Sequence, residues 1–265
     1  MMRVLIAVPV YNESKYIERV LTKLTARAKD ILIIDDGSTD DTPSLLPRFP
    51  VEVIRHAENR GYGRSMLDAF RWARVDHFDW VITMDCDEQH EPEAIPDFMA
   101  AIESDQHDVI SGSRYLASDS AVTDPPENRR RINKMLTAEL NERIGDTIGG
   151  PITDAFCGFK AYRVSAVSQL TLTENGYAFP MQFWIQAAAN RLRVTEIPVK
   201  LIYNDPNRTF GGPLNDDEIR LNHYRQVLHC EINRCADQLP SPALNDVMPC
   251  PGKEQAALAM TNAAK

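Results

Sequence analysis

The sequence predicts an α/β protein with a mostly parallel, doubly wound sheet flanked by helices. Short apolar runs, typical of strands buried on both faces, alternate with segments of helical periodicity. The connections between them are short, as in repeated strand–helix units of a parallel sheet. The 265 residues are enough for one large α/β domain or two small ones.

The first 112 residues carry most of this pattern. Apolar runs predict strands at 4–10, 31–34, 51–54, from Trp80 onward and at 108–112. Between them, helices are expected with apolar positions Ile17, Val20, Leu21 and Leu24, and at about 65–74 and 92–104. Because each strand is followed by a helix, the carboxyl ends of the strands should lie at one edge of the sheet.

The rest of the chain is less regular. Helices are expected at about 131–144, 164–170, 176–190 and 216–237. Residues 194–199 read as an edge strand because Pro198 removes a donor from the ladder. From Leu239 to residue 265, small and polar residues without periodicity predict a disordered tail.

Composition restricts the class of protein. A net charge of −9 argues against general nucleic-acid binding, which normally needs a basic face. The five Cys form no C-x-x-C pair, so free thiols in a reducing compartment are expected. No window approaches the roughly 18 apolar residues that span a bilayer. A cytoplasmic protein that is soluble or peripheral at the membrane is expected.

Acidic residues directly follow the strand that begins at Trp80. Since side chains alternate along an extended chain, Asp85, Asp87 and Gln89 can project to one side. Clustered oxygen ligands of this kind suit Mg²⁺ or Mn²⁺, which often take further ligands from substrate phosphates. A turn that only caps the next helix is the alternative. An EF-hand loop is excluded, because His90 occupies the position of its sharp-turn glycine.

Other polar segments follow neighbouring strands. Segments 9–13 and 35–36 join 85–89 at carboxyl ends, the edge where such sheets bind ligands. The glycines of 59–63 indicate either a structural turn or a loop whose backbone approaches a nucleotide. They do not fit a dinucleotide-binding motif, because Met66 replaces its third glycine. The arginines of 129–131 indicate either a solvated charge run or a phosphate clamp.

Four of these segments, in this order, resemble family 2 glycosyltransferases, which are inverting enzymes of the GT-A fold. The segments are Pro9-Val10-Tyr11-Asn12-Glu13, Asp35-Asp36-Gly37-Ser38, Asn59-x-Gly61-x-Gly63 and Asp85-x-Asp87-x-Gln89-His90. Three more point to the branch similar to dolichyl-phosphate mannose synthase and its bacterial polyprenyl-phosphate relatives. These are Gly112-Ser113-Arg114-Tyr115, Asp154 with Gly158-Phe159-Lys160, and Gly176-Tyr177-x-Phe179. The resemblance spans about residues 3–212.

The resemblance implies one catalytic domain over 1–238. Its parts would be a nucleotide-sugar-binding half (1–112), an acceptor half (113–212) and a C-terminal helix (213–238). The implied nucleotide-sugar site consists of Pro9, Tyr11, Glu13, Asp35, Asp36, Gly61 and Asp85. The implied metal ligands, for Mg²⁺ or Mn²⁺, are Asp85, Asp87 and Gln89. The implied phosphate-binding groups are Arg114, Arg129, Arg130, Arg131 and Arg208, with Asp87, Arg114, Asp154 and Arg208 taking part in catalysis.

The acceptor is open at this point. Transfer of a hexose from a GDP- or UDP-sugar to a polyprenyl or dolichyl phosphate is the first hypothesis. Gln182 stands where that branch usually has an acidic residue, and 207–212 lacks its usual Ser-Lys. A hydroxyl acceptor, with Asp154 as general base, is the alternative, and a non-catalytic nucleotide-sugar-binding protein is another. Peripheral membrane contact and homo-oligomer formation are also open.

Overall fold

The protein folds around a seven-stranded sheet. The computed structural model describes residues 2–116, 126–203 and 209–250. The strands are β1 (Val4–Val10), β2 (Ile31–Asp35), β3 (Glu52–Arg55), β4 (Trp80–Thr83), β5 (Val109–Ser113), β6 (Lys160–Arg163) and β7 (Val194–Pro198). The α-helices are α1 (Ile17–Thr25), α2 (Thr42–Leu45), α3 (Tyr62–Val75), α4 (Ile95–Glu103), α5 (Glu127–Ile144), α6 (Val164–Val167), α7 (Phe179–Ala189) and α8 (Asp217–Arg234).

The strand order is β3-β2-β1-β4-β6-β5-β7. All paired strands run parallel except β6, which is antiparallel to β4 and β5. The mostly parallel sheet and the edge position of β7 are therefore confirmed. Strand β6 was not predicted, because its four residues are polar at both ends and form no apolar run. Its antiparallel direction pairs Lys160 with Thr83 and so brings 157–160 beside the acidic loop that follows β4.

Helices cover both faces of the sheet, as the alternation of strands and helices predicts. On β1, Ile6 and Val8 pack with α1 and α4, while Leu5 and Ala7 pack with α3. The four apolar positions expected for α1 are all buried. A further core forms where α5, α7 and α8 meet beside the second half of the sheet. The sheet is thus held from both sides, and its carboxyl edge is left for polar loops.

The first part of the expected disordered tail is ordered. Residues 239–250 lie against the domain, with Ala243 fully buried. The Arg143 Nη1 donates hydrogen bonds to the carbonyls of Ala243 and Asn245, at 2.9 and 2.8 Å. A disulfide joins Cys230 on α8 to Cys250, so the expectation of free thiols throughout is wrong for this pair. Polar bonds and a covalent link hold this segment, and neither requires hydrophobic periodicity in the sequence. Residues 251–265 lie outside the described part.

Loss of this disulfide is expected to lower stability. It closes a loop over a sequence separation of 20, for which a contribution of about 3 kcal/mol is typical. Urea unfolding of the wild type with and without dithiothreitol measures this loss. The Cys250→Ser variant is the control, since reductant should change its unfolding little. If reductant leaves the wild-type midpoint unchanged, residues 239–250 are held without the covalent link.

Within the described residues, no helix is both long enough and apolar enough to cross a bilayer.

Candidate active site

A cleft of about 920 Å³ opens at the carboxyl ends of β1 and β4. It brings together most of the side chains that the sequence predicted for the site. The predicted residues that line it are Pro9, Tyr11, Glu13, Asp36, Gly61, Asp85, Asp87, Gln89, Arg114 and Arg129. The predicted residues outside this lining are Asp35, Asp154, Arg130 and Arg131. Arg208 lies outside the described residues.

The acidic loop after β4 is fixed by local hydrogen bonds. The backbone N–H of Gln89 donates to Asp87 Oδ1 at 3.1 Å. Glu88 turns away from the others and accepts two hydrogen bonds from the Arg19 guanidinium on α1, at 2.9 and 2.8 Å. Asp85 keeps about a third of its side chain exposed, whereas Asp87 is almost buried. Asp85, Asp87 and Gln89 thus line the cleft on a loop that local hydrogen bonds hold in place.

His90 anchors the start of this loop from below. Its Nδ1 accepts a hydrogen bond from the backbone N–H of Asp85 at 2.9 Å. Burial lowers the pKa of His90 to about 4, so the ring is neutral at physiological pH. Because Nδ1 is an acceptor, the proton is assigned to Nε2, which lies 3.8 Å from the Cys157 sulfur. The ring also packs on Phe159, with centroids 5.3 Å apart.

The two carboxylates at the end of β2, Asp35 and Asp36, make different contacts. Asp35 is fully buried, accepts from the Ser38 N–H at 2.9 Å and lies 3.2 Å from the Arg55 Nε. Asp35 therefore shapes the turn and does not line the cleft, and its expected contact with the nucleotide stays a prediction. Asp36 faces the other way and lines the cleft. It accepts from the backbone N–H groups of Arg60 and Gly61, both at 2.8 Å, and so holds the glycine-containing loop.

The glycines of that loop have a packing role. A Cβ on Gly61 would collide with the carbonyl oxygen of Asn175, and one on Gly63 with that of Glu174. Gly61 also has a φ of +97°, which side chains rarely tolerate. The need for close packing, as in a structural turn, thus accounts for both glycines. Gly61 also borders the cleft.

Arg114 also lines the cleft and is held by a buried carboxylate. Its Nε and Nη2 donate to Asp154 Oδ2 and Oδ1 at 2.6 and 2.9 Å, and the Asn133 amide donates to Asp154 Oδ1 at 2.8 Å. Burial opposes ionisation of Asp154, but the Arg114 guanidinium outweighs it and holds the Asp154 pKa well below its usual range. Asp154 is fully buried and is a poor proton acceptor. It fits an orienting role for Arg114 better than the role of general base.

The arginine cluster at the start of α5 does not form a single clamp. Consecutive helical residues point about 100° apart, so three neighbours cannot face one ligand. Arg129 lines the cleft, with its guanidinium carbon 4.7 Å from the Phe210 ring centroid. Arg130 instead borders a separate groove, and Arg131 lies 3.7 Å from Asp217 on α8. Of the three arginines only Arg129 lines the cleft, and phosphate binding by Arg129, Arg130 and Arg131 stays a prediction.

The sequence profile of glycosyl transferase family 2 matches residues 5–171. The chain belongs to this family. It is therefore a glycosyltransferase, as its ordered motifs indicated.

Relatives of this glycosyltransferase include lipid-phosphate enzymes. It is 28% identical over 235 residues to an undecaprenyl-phosphate mannosyltransferase of Micrococcus luteus, covering 84% of this chain and 94% of that protein. It is 30% identical to a dolichol-phosphate mannosyltransferase of Pyrococcus furiosus, covering 74% of this chain and 56% of the relative. Glucosyl-3-phosphoglycerate synthase of Mycobacterium tuberculosis, solved with UDP, superposes with a TM-score of 0.63 at 17% identity, over 89% and 80% of the two chains. That likeness shows a shared fold.

Gln182 marks a departure of this glycosyltransferase from the lipid-phosphate branch, and it lies away from the cleft lining. Its side-chain oxygen accepts from the backbone N–H groups of Thr173 and Glu174, both at 2.7 Å. Its amide nitrogen donates to Glu231 on α8 at 2.8 Å. Gln182 therefore joins the 173–174 segment to α8.

Some cleft residues of the glycosyltransferase were not predicted. Tyr62 stacks on Tyr177 with centroids 6.3 Å apart, and Phe210 meets Tyr177 edge-on at 5.4 Å. Arg220 on α8 is buried and lies 4.5 Å from the Phe210 ring. The pattern of α8 gave no signal for Arg220. Lys160, which also lines the cleft, belongs to the Gly158-Phe159-Lys160 motif but was not assigned a role.

The acidic loop fits a hard divalent cation. Asp85, Asp87 and Gln89 all line the cleft, and their side chains carry carboxylate and amide oxygens. Across the residues that the structure describes, no group of three His, Cys, Asp or Glu side chains is arranged to hold a metal. The donor set suits Mg²⁺ or Mn²⁺ bound by one or two carboxylates and completed by phosphate and water oxygens.

Gly158 is expected to control the position of Asp85. A Cβ at Gly158 would lie 2.8 Å from both carboxylate oxygens of Asp85, so Gly158→Ala must displace that side chain. We expect Mn²⁺ affinity, measured by calorimetry in the presence of GDP or UDP, to fall by about tenfold or more, as when a metal ligand loses its support. Gly145→Ala is the control, because its Cβ would meet only ordinary contacts at 3.8 Å and beyond. Unchanged affinity in Gly158→Ala would argue against Asp85 as a ligand.

Proposed function

We propose that this glycosyltransferase moves a hexose from a GDP- or UDP-sugar to a polyprenyl phosphate, with inversion and with a divalent cation. The observation that carries the proposal is the Arg114–Asp154 pair. The acceptor end of the cleft presents a guanidinium, and the nearby carboxylate is buried behind it in a bidentate ion pair. A hydroxyl acceptor would need a general base. A phosphate acceptor is already an anion and needs a cation to hold it.

We propose that the donor binds in the same cleft, beside the acidic loop. Pro9, Tyr11, Glu13, Asp36 and Gly61 line the part that would take the nucleoside. Asp85, Asp87 and Gln89 would hold Mg²⁺ or Mn²⁺. The cation supplies Lewis-acid stabilisation of the charge that develops on the leaving diphosphate. Crystals of the Mycobacterium tuberculosis synthase with Mn²⁺ and UDP support a divalent cation in this fold.

The reaction then needs no proton transfer from the acceptor. An oxygen of the acceptor phosphate attacks the anomeric carbon from the side opposite the diphosphate. The bond between that carbon and the diphosphate oxygen breaks, its electron pair leaves with the nucleoside diphosphate, and the configuration inverts. Arg114 orients the attacking phosphate, and the Asp154 carboxylate fixes the guanidinium for this task.

The mouth of the cleft suits a prenyl chain. Tyr177 lines the cleft and exposes 41% of its surface, and Leu116, next to the cleft-lining Tyr115, exposes 44%. Exposed apolar side chains beside a ligand site often mark contact with an apolar partner. The names of the Micrococcus luteus and Pyrococcus furiosus relatives support this class of acceptor. We propose that the enzyme works peripherally at a membrane surface, where such acceptors reside.

Transfer assays with matched acceptors test this function. GDP-mannose and UDP-glucose are offered with Mn²⁺ and either farnesyl phosphate, farnesol or free mannose. We expect glycosyl transfer to farnesyl phosphate, which depends on Mn²⁺ or Mg²⁺ and gives the inverted anomer by NMR. Farnesol is the control because it differs from farnesyl phosphate only in lacking the phosphate. Transfer to farnesol or mannose, with none to farnesyl phosphate, would replace the proposal with a hydroxyl acceptor.

A further inference from the structure

Lys160 is a buried basic residue that is not among the proposed binding and catalytic groups. It begins β6, exposes 3% of its surface and lines the cleft. Its ammonium donates to the Cys157 carbonyl and lies 5.5 Å from the centroid of the Trp184 ring. None of the described carboxylates forms an ion pair with it. A buried ammonium without a paired anion is costly, so its position calls for a partner that enters the cleft.

The two carboxylates that affect the pKa of Lys160 already accept hydrogen bonds from other groups. The Asp154 and Glu196 carboxylates raise the pKa of Lys160, but burial outweighs them. Asp154 is bound by Arg114, and the Glu196 oxygens accept from the backbone N–H groups of Thr153 and Asp154 at 2.8 and 3.1 Å. Burial lowers the pKa of Lys160, as expected for an ammonium that lacks a direct counter-ion. Of Lys160, Asp154 and Glu196, only Lys160 lines the cleft.

Lys160 and Arg114 belong to neighbouring strands. Lys160 pairs with Ser111 of β5, and Arg114 directly follows that strand. Both side chains line the same cleft. A phosphate monoester carries nearly two negative charges near pH 7, so two cations suit it better than one. The donor diphosphate, in contrast, has the cation of the acidic loop to offset its charge.

We propose that Lys160 is a second phosphate-binding residue, which holds the acceptor phosphate together with Arg114 at the inner end of the cleft. This inference rests on the proposed function and assigns part of its acceptor site to a residue not implied by the metal or arginine motifs. The ammonium and the guanidinium bind different oxygens of the phosphate and leave a third free to attack the anomeric carbon.

Calorimetry and steady-state kinetics of three variants test this assignment. Lys160→Met removes the charge at similar length, Lys160→Arg keeps it, and Lys29→Met is the control. Lys29 is exposed and precedes β2, at the opposite edge of the sheet. Farnesyl phosphate and, separately, GDP or UDP with Mn²⁺ are the titrated ligands. Thermal unfolding shows whether each variant is folded.

We expect Lys160→Met to weaken farnesyl phosphate binding and raise its KM by about 10- to 100-fold, the loss typical of a charged hydrogen bond. Nucleotide affinity should stay within about twofold, and Lys160→Arg should recover most of the acceptor affinity. A loss confined to nucleotide binding, or no loss in folded Lys160→Met, overturns the assignment. If the wild type itself binds no farnesyl phosphate, the proposed function fails. That outcome differs from a failure of the Lys160 assignment alone, in which the wild type binds farnesyl phosphate and folded Lys160→Met binds it equally well.

Discussion

Replacement of Asp87 by alanine is expected to reduce turnover by about a thousandfold or more. Asp87 lines the cleft and is 6% exposed, with its Oδ1 accepting from the Gln89 N–H at 3.1 Å. In the proposed function its loss removes a ligand of the cation that would offset charge on the leaving diphosphate, a contribution of several kcal/mol. Each 1.4 kcal/mol corresponds to about tenfold in rate. Release of GDP or UDP with farnesyl phosphate as acceptor and Mg²⁺ or Mn²⁺ present measures the effect.

The control for this prediction is Asp97→Ala. Asp97 is exposed in the first turn of α4, away from the cleft lining, so its loss should leave turnover near that of the wild type. Thermal unfolding of both variants separates loss of catalysis from loss of fold. If folded Asp87→Ala turns over as fast as Asp97→Ala, the metal assignment of the acidic loop is wrong.

The sequence predicted which segments meet at one edge of the sheet better than it predicted the contacts of each side chain. The carboxyl ends of β1, β2 and β4 converge because parallel strands separated by helices must end at one edge. Strand alternation alone does not tell which carboxylate at the end of β2 faces the cleft. That depends on neighbours in other segments, since Arg55 and Ser38 bind Asp35 whereas the N–H groups of 60–61 bind Asp36.

Other features were missed because distant segments create them. β6 is a strand only because β4 and β5 lie on either side of it; its own four residues have weak strand character. The sequence has an odd number of Cys with no metal-like spacing. That count does not predict that Cys230 pairs with Cys250. The basic triplet at 129–131 is visible in the sequence, but the helix that disperses its side chains begins at Glu127, earlier than predicted.

Removal of the Arg114 charge is expected to reduce turnover by about a hundredfold or more without loss of nucleotide affinity. The guanidinium donates two hydrogen bonds to Asp154, so Arg114→Met also leaves a buried carboxylate without its partner. Breaking a buried pair in this way typically costs about 3–5 kcal/mol of stability. Asp154→Asn should cost stability for the same reason and should lower turnover because the guanidinium loses its orientation.

The double variant Arg114→Met/Asp154→Asn separates these two effects. Since it removes both charges, its loss of unfolding free energy should be smaller than the sum of the single losses, and urea unfolding of the three variants measures this coupling. Its turnover with farnesyl phosphate should remain as low as that of Arg114→Met. The second substitution recovers part of the stability but does not return the guanidinium. If instead Arg114→Met keeps full turnover and only the Asp154 variants lose it, Asp154 acts on the acceptor directly. The transferase would then use a hydroxyl acceptor with a carboxylate base.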